Sequence, residues 1–173
     1  MMQKMKLNVP YYSQHEDIKD EDWQGKACGL VCLKMVLDFH KTKTPEINEF
    51  LKLALEKEAF GESGWIHNKL LAIAEDLGME AHRKEGMENE QELKDFLDEK
   101  GPVIVSIKAQ KFSPEFEGKF HQIVLIDYDE NGFYYHDSDY RDREGNRLFV
   151  PFDKFREYWR KMAIFIHKRG KIE

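Results

Sequence analysis

Cysteine is scarce in this chain of 173 residues, which has only Cys28 and Cys32. Two cysteines make at most one disulfide, too few to staple a small extracellular scaffold. They form no C-x-x-C pair, and H-E-x-x-H is missing too, so the usual spacings of zinc ligands are absent. The same holds for the G-x-S-x-G elbow of serine hydrolases, for a P-loop and for a dinucleotide fingerprint. No cofactor and no metal site is therefore expected. No apolar run approaches the roughly 20 residues that a membrane-spanning helix needs. Met1 to Pro10 carries two lysines and no apolar stretch, which predicts neither a signal peptide nor an anchor. A soluble, cytoplasmic protein is expected. Basic charge is not in excess: 27 Lys and Arg stand against 33 Asp and Glu, a net charge of -6. With no basic stripe, nucleic acid is excluded as the main partner. No repeat, low-complexity tract or linker divides the chain, so residues 1–173 are expected to form a single domain with one core.

Apolar helix is what the chain has in quantity. From Cys28 to about Lys41 the polar positions are Lys34, Asp38 and Lys41, spaced four and three apart in one narrow stripe. Everything else on that helix, from Leu30 to Phe39, has to be covered, which predicts a central buried helix. Before it, Val9-Pro10-Tyr11-Tyr12-Ser13-Gln14 reads as an extended segment, because the residue before a proline avoids the helical region. His15 to Gln24 reads as an acidic loop.

Thr44-Pro45 suits the N-cap and first turn of a second helix, with Ile47, Leu51 and Leu55 on one face. Gly61 to Gly64 breaks the chain. A third helix is predicted to carry Trp65, Ile66, Leu70 and Ile73 and to stop at Gly78. Asn89 can cap a fourth, ended by Gly101-Pro102. The period then changes. Pro102-Val103-Ile104-Val105-Ser106-Ile107 is a β-branched run that predicts a buried strand. His121 to Asp127 is a second strand, Asp129-Glu130-Asn131-Gly132 a hairpin turn, and Phe133 to His136 the return strand. Arg143 to Asn146 reads as another turn, Phe152 to Lys161 as a short helix and Met162 to His167 as a last strand. Helices first and an antiparallel sheet second indicate the α+β class.

Three residues stand where chemistry is expected. Cys28 opens the buried helix, where the helix N-terminus favours a thiolate. His121 lies where a loop becomes a strand, a rim position that site residues favour. Asp137 ends the return strand, so hairpin pairing can bring it beside His121, with Asp139 and Asp127 as competitors. A thiol, an imidazole and a carboxylate in that order are the parts of a cysteine nucleophile site. Cys32 sits one turn on, inside the apolar surround, and reads as a buried small hydrophobe. Gly29 is expected to allow backbone or substrate close to the sulfur.

These residues resemble a known family. Val9-Pro10-Tyr11-Tyr12-Ser13-Gln14, Trp23, Ala27-Cys28-Gly29, Gly101-Pro102-Val103-Ile104-Val105-Ser106, His121-Gln122-Ile123-Val124 and Asp137 are similar in order and spacing to papain-like cysteine peptidases related to bacteriocin leader-processing (double-glycine) peptidases. The resemblance spans about residues 8 to 140. It implies a papain-like fold with the central helix packed on an antiparallel sheet, and a peptide or protein substrate. It would make Cys28 the nucleophile, His121 the general base and acid, Asp137 the orienting residue and Gln14 the side-chain donor of the oxyanion hole. Gln24 is a rival for that last role. The chain departs from the family pattern at Leu30, at Phe120 and at Asp137-Ser138. Leu30 and Phe120 are expected to narrow the cleft. The implied activity is hydrolysis of amide bonds through an acyl-enzyme. The alternatives are a thiol acyltransferase and a catalytically silent peptide-binding module.

Three further signals weigh less. Asp127 to Gly132 matches the opening of an EF-hand loop, but the twelfth position is Ser138 rather than a bidentate Glu, and a hairpin turn explains the same residues. The acidic cluster Asp17 to Asp22 suits a solvated loop, or a preference for basic substrates. Trp23 and Trp65 suit ordinary packing or the lining of a groove.

Overall fold

A computed structural model describes residues 7–40 and 42–170, so the predicted helix end at Lys41 lies outside the described residues. Six strands form one antiparallel sheet. They are β3 (Met79–Lys84), β4 (Val103–Ala109), β5 (Glu117–Tyr128), β6 (Gly132–His136), β7 (Leu148–Pro151) and β8 (Trp159–Lys168), in the spatial order β3-β8-β4-β5-β6-β7. A separate two-stranded hairpin joins β1 (Phe60–Gly61) to β2 (Gly64–Trp65).

The middle of the sheet is covered on both faces, and side-chain alternation shows why its central strands carry continuous apolar runs. Ile104, Val124, Ile126, Ile164 and Ile166 join the core built with α2 (Cys28–Phe39), α3 (Ile47–Glu56) and α4 (His67–Asp76). Their neighbours Val103, Val105, Ile123, Leu125 and Phe165 join a second core built with α5 (Gln91–Glu99) and α6 (Phe152–Tyr158). This is the mixed helix and antiparallel-sheet architecture of the papain-like fold. The helices do not all precede the strands, however: β3 follows α4 at one edge of the sheet, and helices lie on both faces.

The predicted central helix is α2, in which residues 29–37 are all buried. Its polar stripe is also covered. Lys34 Nζ donates to Thr44 Oγ1 at 2.7 Å and pairs with Asp38 Oδ2 at 3.2 Å, and Tyr12 OH donates to the same Asp38 oxygen at 2.5 Å. Burial against this network raises the Tyr12 phenol well above its ordinary pKa.

Several boundaries differ from the sequence pattern. Thr44 spends its hydroxyl on Asp38, so the cap of α3 is Glu46, whose carboxylate accepts from the N–H groups of Asn48 and Glu49. The acidic loop contains a short helix, α1 (Glu21–Gln24), capped by Asp20. Trp65 and Ile66 are not helical. Gly64 takes the left-handed conformation (φ 108°), the chain turns, and Trp65 pairs with Phe60 before α4 begins at His67. Glu90 rather than Asn89 flanks the helix start at α5, although the Asn89 side chain accepts from Gln91 N–H at 2.9 Å. The last helix is shorter than predicted, and Trp159 already begins β8. At the Asp127–Gly132 loop, Asp129 Oδ1 accepts from the N–H groups of Asn131 and Gly132, which makes it a hairpin turn.

Candidate active site

Cys28 is the first residue of α2. The preceding Ala27 makes no side-chain capping bond, so the positive end of the helix faces the thiol undiluted. Cys28 is half-buried, whereas Cys32 is fully buried and its thiol pKa is pushed up by burial.

His121 comes from β5 and is buried. Its Nε2 lies 2.6 Å from Asp137 Oδ1, and Cys28 lies close enough to act on the same ring. With Nε2 engaged by the carboxylate, Nδ1 is the nitrogen left for sulfur. Burial alone would lower the pKa of His121, but the Asp137 carboxylate and Cys28 outweigh it and hold the ring well above its ordinary value.

The hairpin does what the sequence suggested: β5 and β6 pair with Val124 opposite His136, and Asp137 follows directly. Asp137 is fixed by three bonds besides the one to His121. Its N–H donates to Gly145 O at 2.9 Å, its carbonyl accepts from Tyr11 OH at 2.9 Å, and its Oδ1 accepts from Asp139 N–H at 2.9 Å. Gln14 N–H reaches the next carbonyl, Ser138 O, at 2.9 Å. The competitors face elsewhere. Asp139 bonds to His15 Nε2 and Gln110 Nε2, and Asp127 Oδ1 accepts from Tyr128 N–H at 2.8 Å.

Gln14 is buried and reaches the cleft beside Cys28. Its Oε1 accepts from Ser138 Oγ at 2.7 Å and its Nε2 donates to Gln24 O at 2.8 Å, which leaves one amide hydrogen over. Gln24 does not line the cleft; its side chain donates to Ile18 O. The two glutamines therefore form a stack in which Gln24 supports Gln14.

The cleft has a volume of about 650 Å³. Trp65, flagged for packing or lining, forms part of its wall, pinned by a 2.8 Å bond from its indole N–H to Lys26 O. Trp23 packs behind it against Phe60. What approaches Gly29 is not backbone: a Cβ there would lie 2.9 Å from Trp65 Cδ1 and 3.1 Å from Gln122 Oε1. Leu30 does not narrow the cleft, being wholly buried in the core. Phe120 does line it, 67% exposed, with the Arg160 guanidinium 3.6 Å from its ring centre. The acidic cluster does not line it either. Asp17 bonds to Arg143 and Ser13 N–H, and the charged lining is instead Lys26, Arg83, Lys119 and Arg160 against Asp139 alone.

Sequence reasoning missed His67, Gln122, Arg83 and Arg160. Gln122 Nε2 meets His67 Nε2 at 2.9 Å, and burial lowers the His67 pKa, with Arg83 and Arg160 adding to the effect. Gln122 Oε1 is buried without a hydrogen-bond partner among the described residues. Two signals were available: a polar residue directly after His121 in an apolar strand, and Arg160 at the head of another.

Comparison with known proteins identifies the family and the fold. The model of a family described as Peptidase_C39-like matches residues 6–164. The chain belongs to the C39-like peptidase family. Solved structures of similar fold include a C39-like peptidase from Bacillus anthracis (22% identity, 98% of this chain and 100% of that one, TM-score 0.71). A double-glycine-motif protease of an AMS/PCAT transporter, solved with its leader peptide, also matches (19%, 95% and 94%, TM-score 0.63). So does the peptidase domain of Streptococcus ComA, a bifunctional ABC transporter of a quorum-sensing pathway (19%, 84% and 93%, TM-score 0.61). No curated protein matches the sequence. Among the described residues of this C39-like chain, no helix is long and apolar enough to cross a membrane.

Proposed function

We propose that this single-domain C39-like protein is a cysteine peptidase, or a closely related thiol amide hydrolase, that acts on peptides or proteins through Cys28, His121, Asp137 and Gln14. The observation that carries the proposal is the position of His121. One ring nitrogen lies 2.6 Å from a buried carboxylate, and the thiol at a helix N-terminus lies close enough to raise the ring's pKa.

Asp137 fixes the ring and favours its protonated form, so Cys28 and His121 rest as, or readily become, a thiolate–imidazolium pair. The thiolate adds to the substrate carbonyl. The remaining Gln14 amide hydrogen and the Cys28 backbone N–H would hold the oxyanion that forms. His121 then gives its proton to the leaving amine, and a thioester to Cys28 remains. Water, deprotonated by His121, cleaves the thioester and restores the thiol. The buried Leu30 and the half-buried sulfur support access to the nucleophile. The leader peptide held by the transporter protease supports a peptide substrate here.

The test is incubation of the intact protein with a diverse peptide library, alone and with hydroxylamine as acceptor, followed by mass spectrometry of new termini. Hydrolysed ends that vanish in Cys28→Ala are expected. Hydroxamates forming in preference to acids would make the protein an acyltransferase. If no Cys28-dependent products form while Cys28→Ala and the native protein bind peptides equally, the silent module is correct.

A further inference from the structure

The chain is acidic overall, yet its cleft is cationic at one end. Arg160 Nη1 donates to Ser106 Oγ at 3.0 Å, and its guanidinium carbon lies over the Phe120 ring, 3.6 Å from its centre. Both partners line the cleft and both are neutral, so the guanidinium is oriented by contacts that carry no opposite charge. No carboxylate among the described residues pairs with Arg160. Burial, and after it the nearby Arg83, weakens its proton affinity, and Lys119 lines the same space. Of the carboxylates near this end, Glu85 is held by Arg83 and does not line the cleft, and Asp139, which does, is engaged by His15 and Gln110. Like charges gathered in this way favour an added anion.

Strand order locates this charge relative to the nucleophile. Ser106 stands opposite Gln122 in the β4–β5 register, and Gln122 follows His121. Adjacent strands are about 4.8 Å apart, and an extended peptide advances about 3.3 Å per residue. A guanidinium resting on Ser106 is therefore roughly one to three peptide residues from the bond that Cys28 would attack.

We propose that Arg160, with Arg83 and Lys119, forms a subsite for a carboxylate carried by the substrate, making this a C39-like enzyme for acidic peptides. The proposal rests on the peptidase function given above and adds its substrate class. The carboxylate can come from an acidic side chain or from the peptide's own C-terminus.

Thiol-directed probes test this without a known substrate. Three iodoacetyl peptides are compared: iodoacetyl-Gly-Gln-amide (neutral), iodoacetyl-Gly-Glu-amide (side-chain carboxylate) and iodoacetyl-Gly-Gln with a free C-terminus. In each, the Cys28 Sγ–carbon bond forms as iodide leaves, and mass spectrometry of the intact chain gives the rate. At low salt at least one acidic probe is expected to react about fivefold faster than the neutral one. The faster probe identifies the source of the carboxylate. The ratio is expected to fall to about one in Arg160→Gln and at high salt, and to persist in part in Arg160→Lys. Ratios near one in the native protein, or a preference that survives in both Arg160→Gln and Arg83→Gln, would overturn the subsite. Iodoacetamide, run alongside, reads the thiol itself. A Cys28 that reacts with iodoacetamide only as an ordinary thiol does, while the acidic-to-neutral rate ratio persists, would defeat the peptidase function and leave the subsite standing.

Discussion

Asp137 Oδ1 accepts twice, from His121 Nε2 at 2.6 Å and from the Asp139 backbone N–H at 2.9 Å. The second bond fixes the oxygen that fixes the ring. It also separates two aspartates that sequence alone leaves in competition. Asp139 supplies a backbone donor, while its own carboxylate turns to His15 and Gln110.

Replacement of Asp137 and of Asp139 should therefore differ sharply. Asp137→Asn removes the charge that stabilises the imidazolium and should lower kcat by about 10²- to 10⁴-fold. Asp139→Asn keeps the backbone N–H and should cost less than about tenfold. Steady-state rates on any cleaved peptide make the comparison, and equal losses would reassign the orienting role.

The glutamine stack makes a second ordered pair. Gln14→Ala removes the proposed oxyanion donor and should lower kcat by about 10²- to 10³-fold with a smaller change in KM. The Gln24 carbonyl, not its side chain, holds Gln14. Gln24→Ala should therefore retain most of the activity, and a larger loss at Gln24 than at Gln14 would exchange their roles.

Two glycines are required by close approach. A Cβ on Gly145 would lie 1.8 Å from Asp137 O and 2.6 Å from Tyr11 OH, so Gly145→Ala should destabilise the fold by more than about 3 kcal/mol. Gly29→Ala is a different case. Helix propensity favours Ala by about 0.5–1 kcal/mol, but the new methyl presses on Trp65 and Gln122. Thermal melts and assays together should show a small change in Tm with a marked loss of turnover.

The pH dependence of stability has a defined sign. The folded state holds His121 well above its ordinary pKa of about 6.5. Its contribution is fully present below pH about 6.5 and is lost as the pH rises through the folded value. Asp137→Asn should remove that alkaline loss. His40, His67 and His136 are lowered by burial, so their contribution is present above pH about 6.5 and lost as the pH falls through their folded values. Urea unfolding from pH 5 to 10 should therefore give a stability maximum with two slopes of different origin.

How much of this was legible beforehand depended on locality. The buried helix was readable because its apolar surface is broken only by Lys34 and Asp38. Cys28, His121 and Asp137 were readable because each stands where an apolar run begins or ends. The β3 strand was not: Met79-Glu80-Ala81-His82-Arg83-Lys84 lies at the sheet edge with mostly polar, exposed residues, and carries no strand period. Trp65 followed a helical pattern that one left-handed glycine overrode. The cationic subsite was out of reach for a different reason. Arg83, Ser106 and Arg160 are far apart in sequence and meet only because β8 inserts between β3 and β4.

The most direct measurement is the rate of Cys28 alkylation by iodoacetamide from pH 4 to 9, in the native chain and in His121→Ala, with Cys32→Ala as background. An activated Cys28–His121 pair should label fast well below pH 8 and lose that advantage in His121→Ala. Labelling that rises only near pH 8.5, the same with or without His121, would contradict the peptidase mechanism.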